Sequence, residues 1–97
     1  MSLTPGFILA DDGDIVGLTL ADVAVIVAEW DAYAPTWKRG SGPDDVVIAA
    51  GDLPEMRLHW DHYAWSPQIA VVRGSGDRCY VRSEDIAEMR AVLEAAR

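Results

Sequence analysis

Phe7-Ile8-Leu9-Ala10-Asp11-Asp12-Gly13-Asp14-Ile15-Val16-Gly17-Leu18-Thr19 is the stretch that decides the fold of this chain. Two apolar tetrapeptides, Phe7–Ala10 and Ile15–Leu18, flank a turn of aspartate and glycine, which is the pattern of a β-hairpin. Gly13 takes positive φ at little cost, and the short carboxylates bond to turn backbone. Thr19 follows as a helix N-cap with Asp22 three residues on, a capping box with Asp in place of Glu. Leu20, Val23, Ala24, Val27 and Trp30 recur at helical spacing, with Asp22, Glu29 and Tyr33 on the other side, and Pro35 ends the helix near Ala34. The β-branched run Val23–Val27 also suits a buried strand. The cap and the length to Tyr33 decide for a helix.

The same grammar closes the chain. A gap-free shift of 63 residues lays Phe7–Ala34 over Ala70–Arg97, pairing Gly13 with Gly76, Asp14 with Asp77 and Asp22 with Asp85. Six identities in 28 positions fit either a duplication or two independent hairpin–helix units over 7–34 and 69–97. In the second unit, Gln68–Arg73 and Arg78–Arg82 surround Gly74-Ser75-Gly76-Asp77. Ser83 caps a helix with Glu84 and Asp85 in its first turn and an apolar stripe of Ile86, Met89, Leu93 and Ala96. Between the units, residues 35–45 read as a loop around Lys38-Arg39-Gly40-Ser41-Gly42-Pro43. Val46–Ala50 reads as a short strand, stopped by Gly51-Asp52-Leu53-Pro54. Glu55–Trp65 alternates as a half-buried strand, with Met56, Leu58, Trp60 and Ala64 inward and Arg57, His59, Asp61, Tyr63 and Trp65 outward. The expectation is one α+β domain over residues 1–97, an antiparallel sheet of about five to six short strands with two helices packed on one face.

Ninety-seven residues suffice for one modest core, burying roughly 65% of the unfolded surface. Cys79 is the single cysteine, which excludes an intramolecular disulfide and a four-cysteine zinc site. The longest apolar run, Val23–Ala28, is too short to span a bilayer. Met1–Pro5 carries no basic region before an apolar stretch, so no secretory signal and a cytoplasmic location are expected. The net charge of −8 is unevenly placed: residues 1–55 hold ten acids and two bases, residues 56–97 six of each. Nucleic acid and anionic membranes are disfavoured as partners, because phosphate binding needs clustered cations, whereas a basic protein patch is allowed. Acidity also serves solubility alone, and seven Arg against one Lys fits the codon bias of a GC-rich genome.

Chemistry-bearing motifs are sparse. Asp11-Asp12-Gly13-Asp14 fails the spacing of a calcium loop, since Ile15 and Val16 occupy the ligand and glycine positions. His59 and Asp61 would share a strand face as an acid–base pair, but no nucleophile accompanies them, and His62 would point away, against convergence on a metal. Cys79 lacks an activating base. Gly40-Ser41-Gly42 and Gly74-Ser75-Gly76 lack the lysine of a phosphate loop. No catalytic residue, metal ligand or cofactor is therefore assigned. Exposed aromatics beside arginine are the better lead. Trp37, Arg57, His59, Asp61, Tyr63 and Trp65 are expected to bind a partner, with Asp11, Asp12, Asp14, Asp44 and Asp45 steering encounter. The expected function is a small acidic, non-enzymatic inhibitor or modulator, of the anti-defence, immunity or phage-regulator kind, engaging a basic protein surface. The alternatives are a self-associating structural protein and a hydrolytic enzyme centred on His59 and Asp61.

Overall fold

The computed structural model describes residues 6–11, 13–40, 46–50, 53–74 and 77–96. The chain is α+β. In order it forms β1 (Phe7–Asp11), β2 (Asp14–Leu18), α1 (Leu20–Tyr33), a 3-10 turn (Ala34–Thr36), β3 (Val46–Ala50), β4 (Leu53–Trp60), β5 (Ile69–Arg73), β6 (Arg78–Val81) and α2 (Ser83–Ala95). The strands divide between two antiparallel sheets, β1-β2 and β3-β4-β5-β6, where a single sheet was expected.

The division has a physical cause at the outer edge of β6. That edge presents the backbone N–H groups of Arg78 and Tyr80, and these donate to the Asp14 and Asp11 carboxylates at 3.4 and 3.3 Å rather than to a further strand. Arg82, the next outward N–H, donates to Asp85 at 3.0 Å. Carboxylates on an edge satisfy its donors and block strand addition. In return, Ile15 N–H donates to Asp77 at 3.0 Å. The two hairpins thus exchange equivalent bonds: Asp14 takes the N–H of Arg78, the residue after Asp77, and Asp77 takes the N–H of Ile15, the residue after Asp14.

Local chemistry explains both helices. In α1, Thr19 and Asp22 form the expected box, Asp22 N–H donating to Thr19 Oγ1 at 3.1 Å and Thr19 N–H to Asp22 Oδ2 at 2.9 Å. In α2 the corresponding cap is Arg82, whose N–H is held by Asp85, and Ser83 is the first helical residue. The buried stripe of α1 is Val23, Ile26 and Val27, while Leu20 and Ala24 face outward, so the helix is rotated from the expected stripe. Ile86 and Met89 of α2 are buried as the periodicity predicts. Across the large sheet, register aligns Leu58 with Val71 and Cys79, and Trp60 with Ile69 and Val81. All six are buried beneath the helices and join Leu9, Val16 and Leu18 of the hairpin in one core. Asp22 is buried with them, contrary to its expected place on the outer side of α1, and forms an ion pair with Arg73.

Candidate functional site

The opposite face of the large sheet is built from cross-strand rows that the register dictates. One row is Arg57, Val72 and Arg78; the next is His59, Ala70 and Tyr80. Beyond the strand ends a third row is held by hydrogen bonds. Asp61 N–H donates to the Gln68 carbonyl at 2.8 Å, Gln68 Nε2 to Asp61 Oδ2 at 2.9 Å, and Arg82 Nε to Gln68 Oε1 at 2.8 Å. Arg82 also lies over the Tyr80 ring, 5.9 Å from its centre. Ala70 is the small residue of the middle row, so a cleft of about 220 Å³ opens above it between His59 and Tyr80. Trp60, Asp61, His62, Tyr63 and Arg78 complete its walls.

β4 ends at Trp60, five residues before the expected strand end, and the chain turns through 61–66. His62 is therefore freed from strand alternation and lines the same cleft as His59, instead of pointing away from it. Among the described residues that line the cleft Asp61 is the only acid, and it is already bonded on both oxygens, to Tyr63 N–H at 2.9 Å and to Gln68. A carboxylate so engaged positions the turn, its oxygens holding Tyr63 and Gln68. Among the described residues, no group of three or more His, Cys, Asp or Glu is placed to hold a metal ion.

Tyr63 and Trp65 stand out on this turn at 82% and 85% exposure, while Leu58 and Trp60 are buried on the other face, as expected. They are held from the 35–40 segment: Gly40 N–H donates to the His62 carbonyl at 2.6 Å, Arg39 Nε to the Tyr63 carbonyl at 3.2 Å, and the Arg39 guanidinium lies 4.0 Å from the Trp65 ring centre. At an exposed site such a cation–π contact is worth about 0.5–1 kcal/mol and favours this placement of the indole. Arg57 is paired with Glu55 at 2.7 Å. Trp37 does not join the exposed set; it is half-buried against the core, with its indole N–H buried and lacking a partner among the described residues. Asp11 and Asp14 hold β6 backbone, as described above, while Asp12, Asp44 and Asp45 lie outside the described residues. Arg39, Gln68, Arg78, Tyr80 and Arg82 are the residues that single-strand reading missed; alternation on β6 places Arg78 and Tyr80 together, but only register sets them beside His59.

Cys79 is fully buried, its thiol 3.5 and 3.6 Å from the Asp14 and Leu9 carbonyls. Burial, then the charges of Asp11, Asp14 and Asp77, push its pKa upward, away from nucleophilic use. No helix among the described residues is long and apolar enough to cross a membrane. The chain matches no protein-family model, no curated protein and no solved structure.

Proposed function

We propose that this is a small, non-enzymatic binding protein that docks a protein partner on the outer face of β4, β5 and β6, with Tyr63 and Trp65 as anchors. The observation that carries this reading is the pair of almost fully exposed aromatics, one of them braced by Arg39. Aromatic side chains held rigid before contact lose little entropy on binding, and Trp, Tyr and Arg dominate interface energetics. The basic partner expected from net charge is less well supported. The described acids at this face and its edge, Asp11, Asp14, Glu55 and Asp61, are engaged with backbone, Arg57 or Gln68, and the face itself carries Arg39, Arg57, Arg78 and Arg82.

Affinity capture from native lysate with the wild type and with the Tyr63→Ala/Trp65→Ala variant tests the proposal. A protein retained by the first and lost by the second is expected; identical captures would reject the face.

Self-association is the second reading. The outward side of the β1-β2 hairpin exposes Ile8 at 64% and Ile15 at 59%. A salt-insensitive dimer by light scattering, abolished by Ile8→Ser/Ile15→Ser, would favour it. The reciprocal hairpin bonds and equivalent Asp22 and Asp85 caps further support an origin by duplication. In that scheme Leu9 takes the place of Val71, since these pair with Val16 and Cys79. The alignment then shifts by one residue at the turn.

A further inference from the structure

The cleft above Ala70 points to a ligand class that net charge conceals. In a chain of charge −8, the described face around this cleft carries Arg39, Arg57, Arg78 and Arg82 against Glu55 and Asp61. His59 and His62 line it, and Asp61, the one acid among the described residues that line it, has both oxygens occupied. The neighbouring cations are engaged: Arg57 with Glu55, Arg82 with Gln68, and Arg39 with the Tyr63 carbonyl and the Trp65 ring. The Arg78 guanidinium, exposed at the cleft margin, has no hydrogen-bond or ion-pair partner among the described residues. A guanidinium without an acceptor presents a fork matched to one carboxylate.

The geometry points to an acidic peptide segment as the occupant, with an Asp or Glu carboxylate seated on Arg78 and the adjoining chain lying across Tyr63 and Trp65. A volume of about 220 Å³ admits a side chain and is small for a nucleotide. One uncommitted guanidinium suits a singly charged carboxylate, whereas phosphate sites draw on several cations or a run of backbone N–H donors. The His62 imidazole and the Tyr80 ring give the remaining walls a polar group and an apolar surface. This inference rests on the docking face proposed above and adds the chemistry of what docks there.

The test uses the full chain, isotope-labelled, titrated by NMR with blocked tetraglutamate, blocked tetralysine and sodium phosphate at fixed ionic strength. Tetraglutamate is expected to shift the amides of His62, Ala70, Arg78 and Tyr80 saturably. Arg78→Gln should weaken that binding about tenfold, as loss of a charge-assisted pair does. Arg90→Gln, on α2, should leave it unchanged. The side chain of Arg78 is exposed, so the variant keeps its fold, and retained amide dispersion verifies this. No shift up to about 20 mM tetraglutamate, equal response to tetralysine, tighter binding of phosphate, or undiminished binding by Arg78→Gln would each overturn the assignment. Failure of the docking face reads separately: it shows as unchanged partner capture by Tyr63→Ala/Trp65→Ala, whatever tetraglutamate does.

Discussion

Asp22→Ala should be the most damaging single change of a charged residue in this protein. Asp22 is 2% exposed, and its Oδ2 accepts from both Thr19 N–H, at 2.9 Å, and the Arg73 guanidinium. Removing the carboxylate costs the cap, about 1 kcal/mol, and leaves Arg73, whose side chain is 11% exposed, without its buried counter-charge, about 3–5 kcal/mol. The two losses overlap because one oxygen serves both. Arg73 also borders a cavity of about 300 Å³ with Asp77 on its wall. Arg73 keeps its contact with the Met56 sulfur and is not left without partners, which places the expected loss near the lower bound, about 3 kcal/mol. For a chain of this size that lowers Tm by roughly 12–24 °C. Urea unfolding followed by circular dichroism and tryptophan fluorescence, with coincident transitions and unchanged m, measures it. The companion Asp22→Ala/Arg73→Met removes both charges and should cost about 1–3 kcal/mol less than the sum of the single changes. A single-variant loss below about 1 kcal/mol, or strict additivity, would refute the claim that this ion pair ties α1 to β5 through the core.

Other consequences are open to direct measurement. Cys79 should react with a thiol reagent only through opening of the fold: at pH 8 native labelling should be slower than denatured labelling by orders of magnitude, because burial and three aspartates hold its pKa above 9.0, and rapid stoichiometric labelling of the native chain would contradict this. The exposed Asp31–Arg90 pair links the two helices, and the Arg90 hydrogen bond lowers the Asp31 pKa. A carboxylate depressed on folding contributes stability above its ordinary value of 3.8, and that contribution fades as pH falls through the folded value. The stability gap between wild type and Asp31→Asn should therefore be present at pH 6 and close in strong acid, and a gap that widens on acidification would reverse the sign. Asp14→Ala and Asp77→Ala each remove one exposed bond of the hairpin exchange, and each should cost about 0.5–1 kcal/mol, read as a small shift in the urea midpoint; a loss of several kcal/mol from either would mean the exchange does more than tie two turns.

Local grammar carried most of the architecture. Apolar alternation, Gly13 and Gly74 at the turns, the Thr19–Asp22 box and the Ile86–Met89 stripe are properties of neighbours in the chain, and every element except β4, which stops five residues short at Trp60, appears within a residue or two of its expected bounds. The inward phase of Leu58 and Trp60 and the exposure of Tyr63 and Trp65 were legible for the same reason. Even so, Trp65 is exposed because the chain turns after Trp60, and not because a strand reaches it.

What needed the tertiary structure was everything that depends on residues far apart in sequence. The aspartates at 11 and 14 read as free surface charge until β6 is set beside them, when its backbone N–H groups claim them. Asp22 reads as solvent-facing until Arg73, 51 residues away, meets it inside the core. Trp37 reads as a loop aromatic until the core takes it in. Arg78 joins His59 in one cleft only through the register of β4, β5 and β6. Periodicity reports which side of an element is apolar, because that is a property of the segment alone. Which polar groups are already engaged, and so what surface is left for a ligand, is decided by the partners that folding brings within hydrogen-bonding distance.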